Sequence, residues 1–82
     1  MFVEVIELDK MDEYRLELKG NEEVKIELEE GQCELFGQEL SLYKVFKFNN
    51  KECLGFLSYS GCKLLINRKS DESDCSYICR NK

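Results

Sequence analysis

Glu13-Tyr-Arg-Leu-Glu-Leu-Lys-Gly-Asn-Glu-Glu-Val-Lys-Ile-Glu-Leu-Glu-Glu30 is the stretch that decides the fold. Tyr14, Leu16 and Leu18 alternate with Arg15, Glu17 and Lys19; Val24, Ile26 and Leu28 then alternate with Lys25, Glu27 and Glu29. A period of two places every apolar side chain on one face of an extended strand, whereas a helical period would scatter them. Lys19-Gly-Asn-Glu-Glu23 between the two runs carries the chemistry of a turn. Working outward, Phe2–Leu8, Gln32–Phe36, Leu42–Phe48, Cys53–Tyr59, Cys62–Ile66 and Cys75–Cys79 read as further strands. About eight short strands at spacings of roughly 8–12 residues, with no long amphipathic helix, predict an all-β fold: a small antiparallel β-sandwich of jelly-roll-like character. Gly37 and Gly55, inside or beside strand patterns, are expected at a bulge or a close approach.

The chain has 82 residues, and residues 1–82 are expected to form one domain. A domain of this length buries roughly 60–65% of the surface its unfolded chain exposes, which leaves little room for a deep enclosed pocket and speaks against a self-contained enzyme. No run of about 18 apolar residues is present to span a bilayer. The acids in Met1-Phe-Val-Glu-Val-Ile-Glu-Leu-Asp9 do not fit the apolar part of a secretion signal. The net charge of −5 divides unevenly, with −9 in residues 1–40 and +4 in residues 41–82. Either the halves intermingle and their charges pair or solvate, or Lys44, Lys47, Lys51, Lys63, Arg68 and Lys69 form a basic face that attracts phosphate.

Histidine is absent, so imidazole bases, His-based triads and His metal ligands are excluded. The five cysteines, Cys33, Cys53, Cys62, Cys75 and Cys79, are an odd set with one close pair, and they read as reduced, mostly buried thiols with no metal. Gly55-Phe-Leu-Ser-Tyr-Ser-Gly61-Cys-Lys63 is not a phosphate loop, because Cys62 stands between the second glycine and the lysine. The paired carboxylates Glu22/Glu23 and Glu27/Glu29/Glu30 fall on turns and strand faces that do not single out a general acid and base. Tyr14, Phe36, Phe46, Phe48, Phe56 and Tyr59 alternate in a way that suits core packing better than base stacking. Phe36, beside a strand-ending glycine, is expected in the core.

The segment Glu34-Leu-Phe-Gly-Gln-Glu-Leu40 reads as Glu-[Ile/Leu]-Phe-Gly-x-Glu-Leu and follows Val24-Lys-Ile-Glu-Leu-Glu-Glu-Gly-Gln-Cys33. Together with Phe46-Lys-Phe-Asn49, Gly61-Cys62 and Asp12-Glu-Tyr-Arg-Leu-Glu-Leu18, it resembles the N-terminal domain of the eukaryotic polynucleotide 5′-hydroxyl kinase family, to which a pre-mRNA cleavage complex II subunit belongs. The resemblance runs from about Glu13 to Ile66 and weakens after it. It implies a β-sandwich that packs on a P-loop domain of the same protein and helps to hold the adenine end of ATP.

By resemblance Glu13 is the adenine-side glutamate. The family's partner lysine aligns with Cys53, and Lys51 lies two positions back. The implied partners are the P-loop domain and other cleavage and polyadenylation factor subunits, with RNA reached indirectly and no membrane. The implied setting is the nucleus. This chain alone is expected to be no enzyme and to hold no cofactor, ATP belonging to a full-length relative. The rival expectation is a stand-alone protein-interaction module that captures a peptide at an exposed sheet edge, and a weaker one is a single-strand RNA binder.

Overall fold

The computed structural model describes residues 2–20, 22–69 and 75–80. Among them nine strands form and no helix: β1 (Phe2–Leu8), β2 (Glu13–Leu18), β3 (Val24–Gly31), β4 (Glu34–Leu35), β5 (Gln38–Glu39), β6 (Val45–Phe48), β7 (Glu52–Leu57), β8 (Cys62–Arg68) and β9 (Cys75–Cys79). They make a four-stranded sheet in the order β1-β8-β3-β6 and a five-stranded sheet in the order β5-β4-β7-β2-β9. Every strand pairing is antiparallel. The expected sandwich is therefore present, with one more strand than the spacing suggested. The run Gln32–Phe36 contributes only Glu34–Leu35, and β5 appears just beyond it.

Alternation in the sequence becomes inside and outside in the structure. Tyr14, Leu16 and Leu18 of β2 face Val24, Ile26 and Leu28 of β3 across a shared interior that Leu54, Phe56, Leu64 and Ile66 complete, all of them buried. Each such side chain contributes about 1.5–3 kcal/mol on leaving water, which is how a chain this short sustains one core. Tyr14 and Phe56 stack with ring centroids 6.2 Å apart. Phe36 departs from its expected place, being 68% exposed, and Tyr59 is exposed as well. Their strands end before them, so the alternation that predicts burial no longer applies.

The chain changes sheets at Gly31. The β3–β8 register slips between Leu28 and Glu30, and Gly31 at φ 81° turns the chain toward β4. A Cβ there would collide with the Gly61 carbonyl oxygen and stand 2.9 Å from the Cys62 Cα, so only glycine fits. At this end the buried Ser58 ties three turns together. Its hydroxyl donates to the Gln32 carbonyl (2.6 Å) and accepts from the Gly61 amide (2.9 Å), while its own amide donates to the Asp12 carbonyl (3.1 Å).

Candidate functional site

Glu13 opens β2 one residue after Asp12, at the end of the sandwich that Ser58 secures. Asp12 is buried at 2% exposure. Its carboxylate accepts from the Asp9 amide (2.9 Å) and from Arg80 Nη1 (2.6 Å). Arg80 also reaches Asp9 at 3.6 Å, so the chain leaves β9 through a clamp on the β1–β2 turn. Glu13 pairs with Leu57 of β7 and with Cys79 of β9, on the outer face of the five-stranded sheet.

Along that face Glu13, Arg15 and Glu17 form a file flanked by Cys79, Tyr77 and Cys75 on one side and by Leu57, Gly55 and Cys53 on the other. Arg15 Nε donates to Glu13 Oε1 at 2.8 Å, and its Nη1 donates to the Tyr77 hydroxyl at 3.4 Å. Both contacts, Tyr77 first, favour the charged guanidinium and raise its pKa. Gly55 is the reason Glu13 can lie down on the sheet. A Cβ at position 55 would stand 3.0 Å from Glu13 Oε2. The close approach expected at Gly55 is thus made by a side chain, and the ladder passes through it without a bulge. A hollow of about 310 Å³ lies over it, walled by Arg15, Glu17, Cys53 and Tyr77.

The other two residues picked from the sequence come together elsewhere. Cys53 and Lys51 line a cleft of about 530 Å³ with Glu17, Leu18, Lys19, Glu52 and Cys75. Cys53 is exposed and faces Glu17, its thiol 4.0 Å from Oε1. Glu17 lies four residue steps along the strand from Glu13, about 13 Å, and Lys51 lies on the order of 20 Å from Glu13. The structure therefore joins Lys51 to Cys53 and leaves Glu13 at the other end of the same face.

Two of the six residues that could form a basic face are answered by acids instead. Arg68 is buried at 7% exposure and pairs with Glu4 at 3.4 Å, and Lys63 reaches Glu30 at 3.7 Å and Glu7 at 4.0 Å. Two buried thiols that the sequence did not join do meet, Cys33 with Cys62. The hydrogen bond to Cys62 and then burial hold the Cys33 thiol well above the usual thiol range, while that bond draws Cys62 down. Among the described residues no group of three Cys, Asp or Glu side chains converges as a metal site would require.

Comparison with known proteins places this geometry. A family profile described as the N-terminal beta-sandwich domain of polyadenylation factor matches residues 7–82. A Danio rerio protein named polyribonucleotide 5′-hydroxyl-kinase Clp1 is 32% identical over 65 residues, covering 79% of this chain and 15% of that protein. Its Bos taurus counterpart is 31% identical over 75 residues, covering 92% of this chain and 17% of its own. The Homo sapiens counterpart is 29% identical over the same length and shares. This chain thus spans 15–17% of the length of these relatives. A chain from a solved structure of the extended interface between Pcf11p and Clp1p superposes with a TM-score of 0.76 at 17% identity, covering 93% of this chain and 18% of that one. At that identity the likeness establishes the fold.

Proposed function

The chain belongs to the family of N-terminal β-sandwich domains of the polyadenylation factor, and from that premise we propose that it positions nucleotide without catalysing. In this reading it is the accessory domain of a polynucleotide 5′-hydroxyl kinase-type subunit in nuclear pre-mRNA 3′-end cleavage and polyadenylation. It packs on a P-loop domain of the same protein, and Glu13 supplies one wall on the adenine side of ATP. Other cleavage factor subunits, of which Pcf11p is one that meets the structural neighbour, are its wider partners.

The observation that carries this reading is the placement of Glu13. It lies flat on an outer sheet face, one residue from the Asp12 that grips Arg80. Arg80, the residue after β9, is thereby held one residue from the Glu13 carboxylate. Arg15 takes one oxygen of Glu13, and the other lies over Gly55, available to an exocyclic amino group. A phosphate cradle needs converging backbone amides or a Gly-Lys-Ser/Thr loop, and the one glycine-rich candidate, residues 55–63, lacks that order. The phosphates and the chemistry would then fall to the P-loop domain.

The test is to graft this chain in place of the matching segment of the Danio rerio kinase and titrate ATP and GTP. Glu13→Ala is expected to weaken ATP by about tenfold, ~1.4 kcal/mol, the size of one hydrogen bond to a charged acceptor. GTP, which offers a carbonyl where adenine offers its amino group, should change less. Equal affinities for ATP before and after the substitution would remove Glu13 from the site. The 82-residue chain alone should bind ATP no tighter than about 1 mM, because most of the ligand would remain in water.

A further inference from the structure

The hairpin of β4 and β5 breaks two local rules at once, and nothing within the described residues offsets either. Its loop is the two residues Phe36 and Gly37, with φ of 54° and 78°. Two successive positive φ values joining antiparallel strands make a type I′ turn, whose first position calls for Asn, Asp or Gly. Phenylalanine stands there instead, 68% exposed, and a Cβ on neighbouring Gly37 would meet nothing within 4 Å. The strands add the second departure. Glu34 sits directly opposite Glu39, two like charges on one face of an antiparallel pair, and neither has an ion-pair partner among the described residues. Leu42, Tyr43 and Val45, on the segment that runs from β5 into the edge strand β6, are exposed as well.

Local rules broken together without a gain to the fold mark a functional surface. We infer that this hairpin is a docking element whose Phe36 enters an apolar socket ringed by lysine or arginine on a separate protein. An aromatic anchor with two carboxylates behind it is complementary to that surface in shape and in charge. β5 is the margin of the five-stranded sheet opposite β9, four strand spacings or about 19 Å from it, so the hairpin stands clear of the Arg80 clamp. The inference does not rest on the nucleotide reading of Glu13.

Photo-crosslinking in cells of the protein's own source tests it, with p-benzoylphenylalanine replacing Phe36 in the full chain and replacing the exposed Tyr59 as reference. The expected result is an adduct with a different protein, about fivefold stronger from position 36 than from 59. Its crosslinked peptide should be bordered by Lys or Arg, and its yield should fall about fivefold in Glu34→Gln/Glu39→Gln. It should persist in Glu13→Ala, so that this reading and the nucleotide reading fail separately. Equal yields from the two positions, an adduct with a second copy of this chain or with a P-loop domain attached to it, or indifference to the glutamates would each overturn the inference. A second measurement needs no partner: Phe36→Asn should raise the melting temperature by about 4 °C by restoring the preferred turn residue. A lowered melting temperature would show that Phe36 serves the fold and would overturn the inference too.

Discussion

The Glu13 corner and the β4–β5 hairpin share one row of the five-stranded sheet, running Cys79, Glu13, Leu57, Glu34, Glu39, yet they are built on opposite plans. At the corner every charge has an answer: Glu13 has Arg15, Arg15 has Tyr77, and Asp12 has Arg80 and the Asp9 amide. At the hairpin two glutamates face each other and an aromatic ring stands in water. The first region spends its polar groups on holding a carboxylate still. The second leaves its groups for something else to satisfy, so substitutions should cost stability at the corner, whereas replacing Phe36 or Glu39 should release it at the hairpin.

The largest effect is expected at Asp12. Asp12→Ala removes a buried acceptor and strands Arg80 and the Asp9 amide, which should lower unfolding free energy by about 3 kcal/mol in a urea titration. A loss no greater than that of an exposed glutamate would dissolve the contrast between the two regions.

The interior behind the corner makes a pH prediction. Burial raises the Tyr14 pKa, so its phenol is more readily ionised in the unfolded chain. Its contribution is intact below the ordinary tyrosine value of 10.0 and declines as pH rises through it. The expected slope is about 1.4 kcal/mol per pH unit while the group is ionised only on unfolding. Denaturant titrations between pH 8 and 11 should show this decline missing in Tyr14→Phe.

Smaller effects belong to the hairpin. Gly37→Ala meets open space but keeps a φ of 78°, so its cost should be the conformational penalty alone, about 1 kcal/mol. Glu39→Lys, which turns a like pair into an opposite one facing Glu34, should stabilise the chain by about 0.5 kcal/mol. A destabilised Glu39→Lys would mean that the glutamate pair is answered within the fold after all.

The sandwich was legible because period-two alternation is a local signal, and Tyr14, Leu16, Leu18, Val24, Ile26 and Leu28 all lie where it puts them. Pairing is not local. Nothing in the sequence tells that Arg80 returns to Asp12 or that Cys33 meets Cys62, because both contacts depend on which strands become neighbours. Strand β5 was missed because two residues cannot display a period. Its loop hides the turn as well, because Phe36 stands where Asn, Asp or Gly would announce a type I′ hairpin, and only Gly37 in the second position hints at it. That hint is also the one sign that Phe36 lies at the surface. Glu13 came from resemblance and not from pattern, and its approach to Gly55 required the β2–β7 register.

The most direct test of two regions with two tasks is the ATP affinity of the grafted kinase carrying Glu13→Ala or, separately, Glu39→Ala, measured by calorimetric titration. The account predicts a loss of about tenfold for Glu13→Ala and an unchanged affinity for Glu39→Ala. An unchanged affinity for Glu13→Ala, or an equal loss for both, would contradict it.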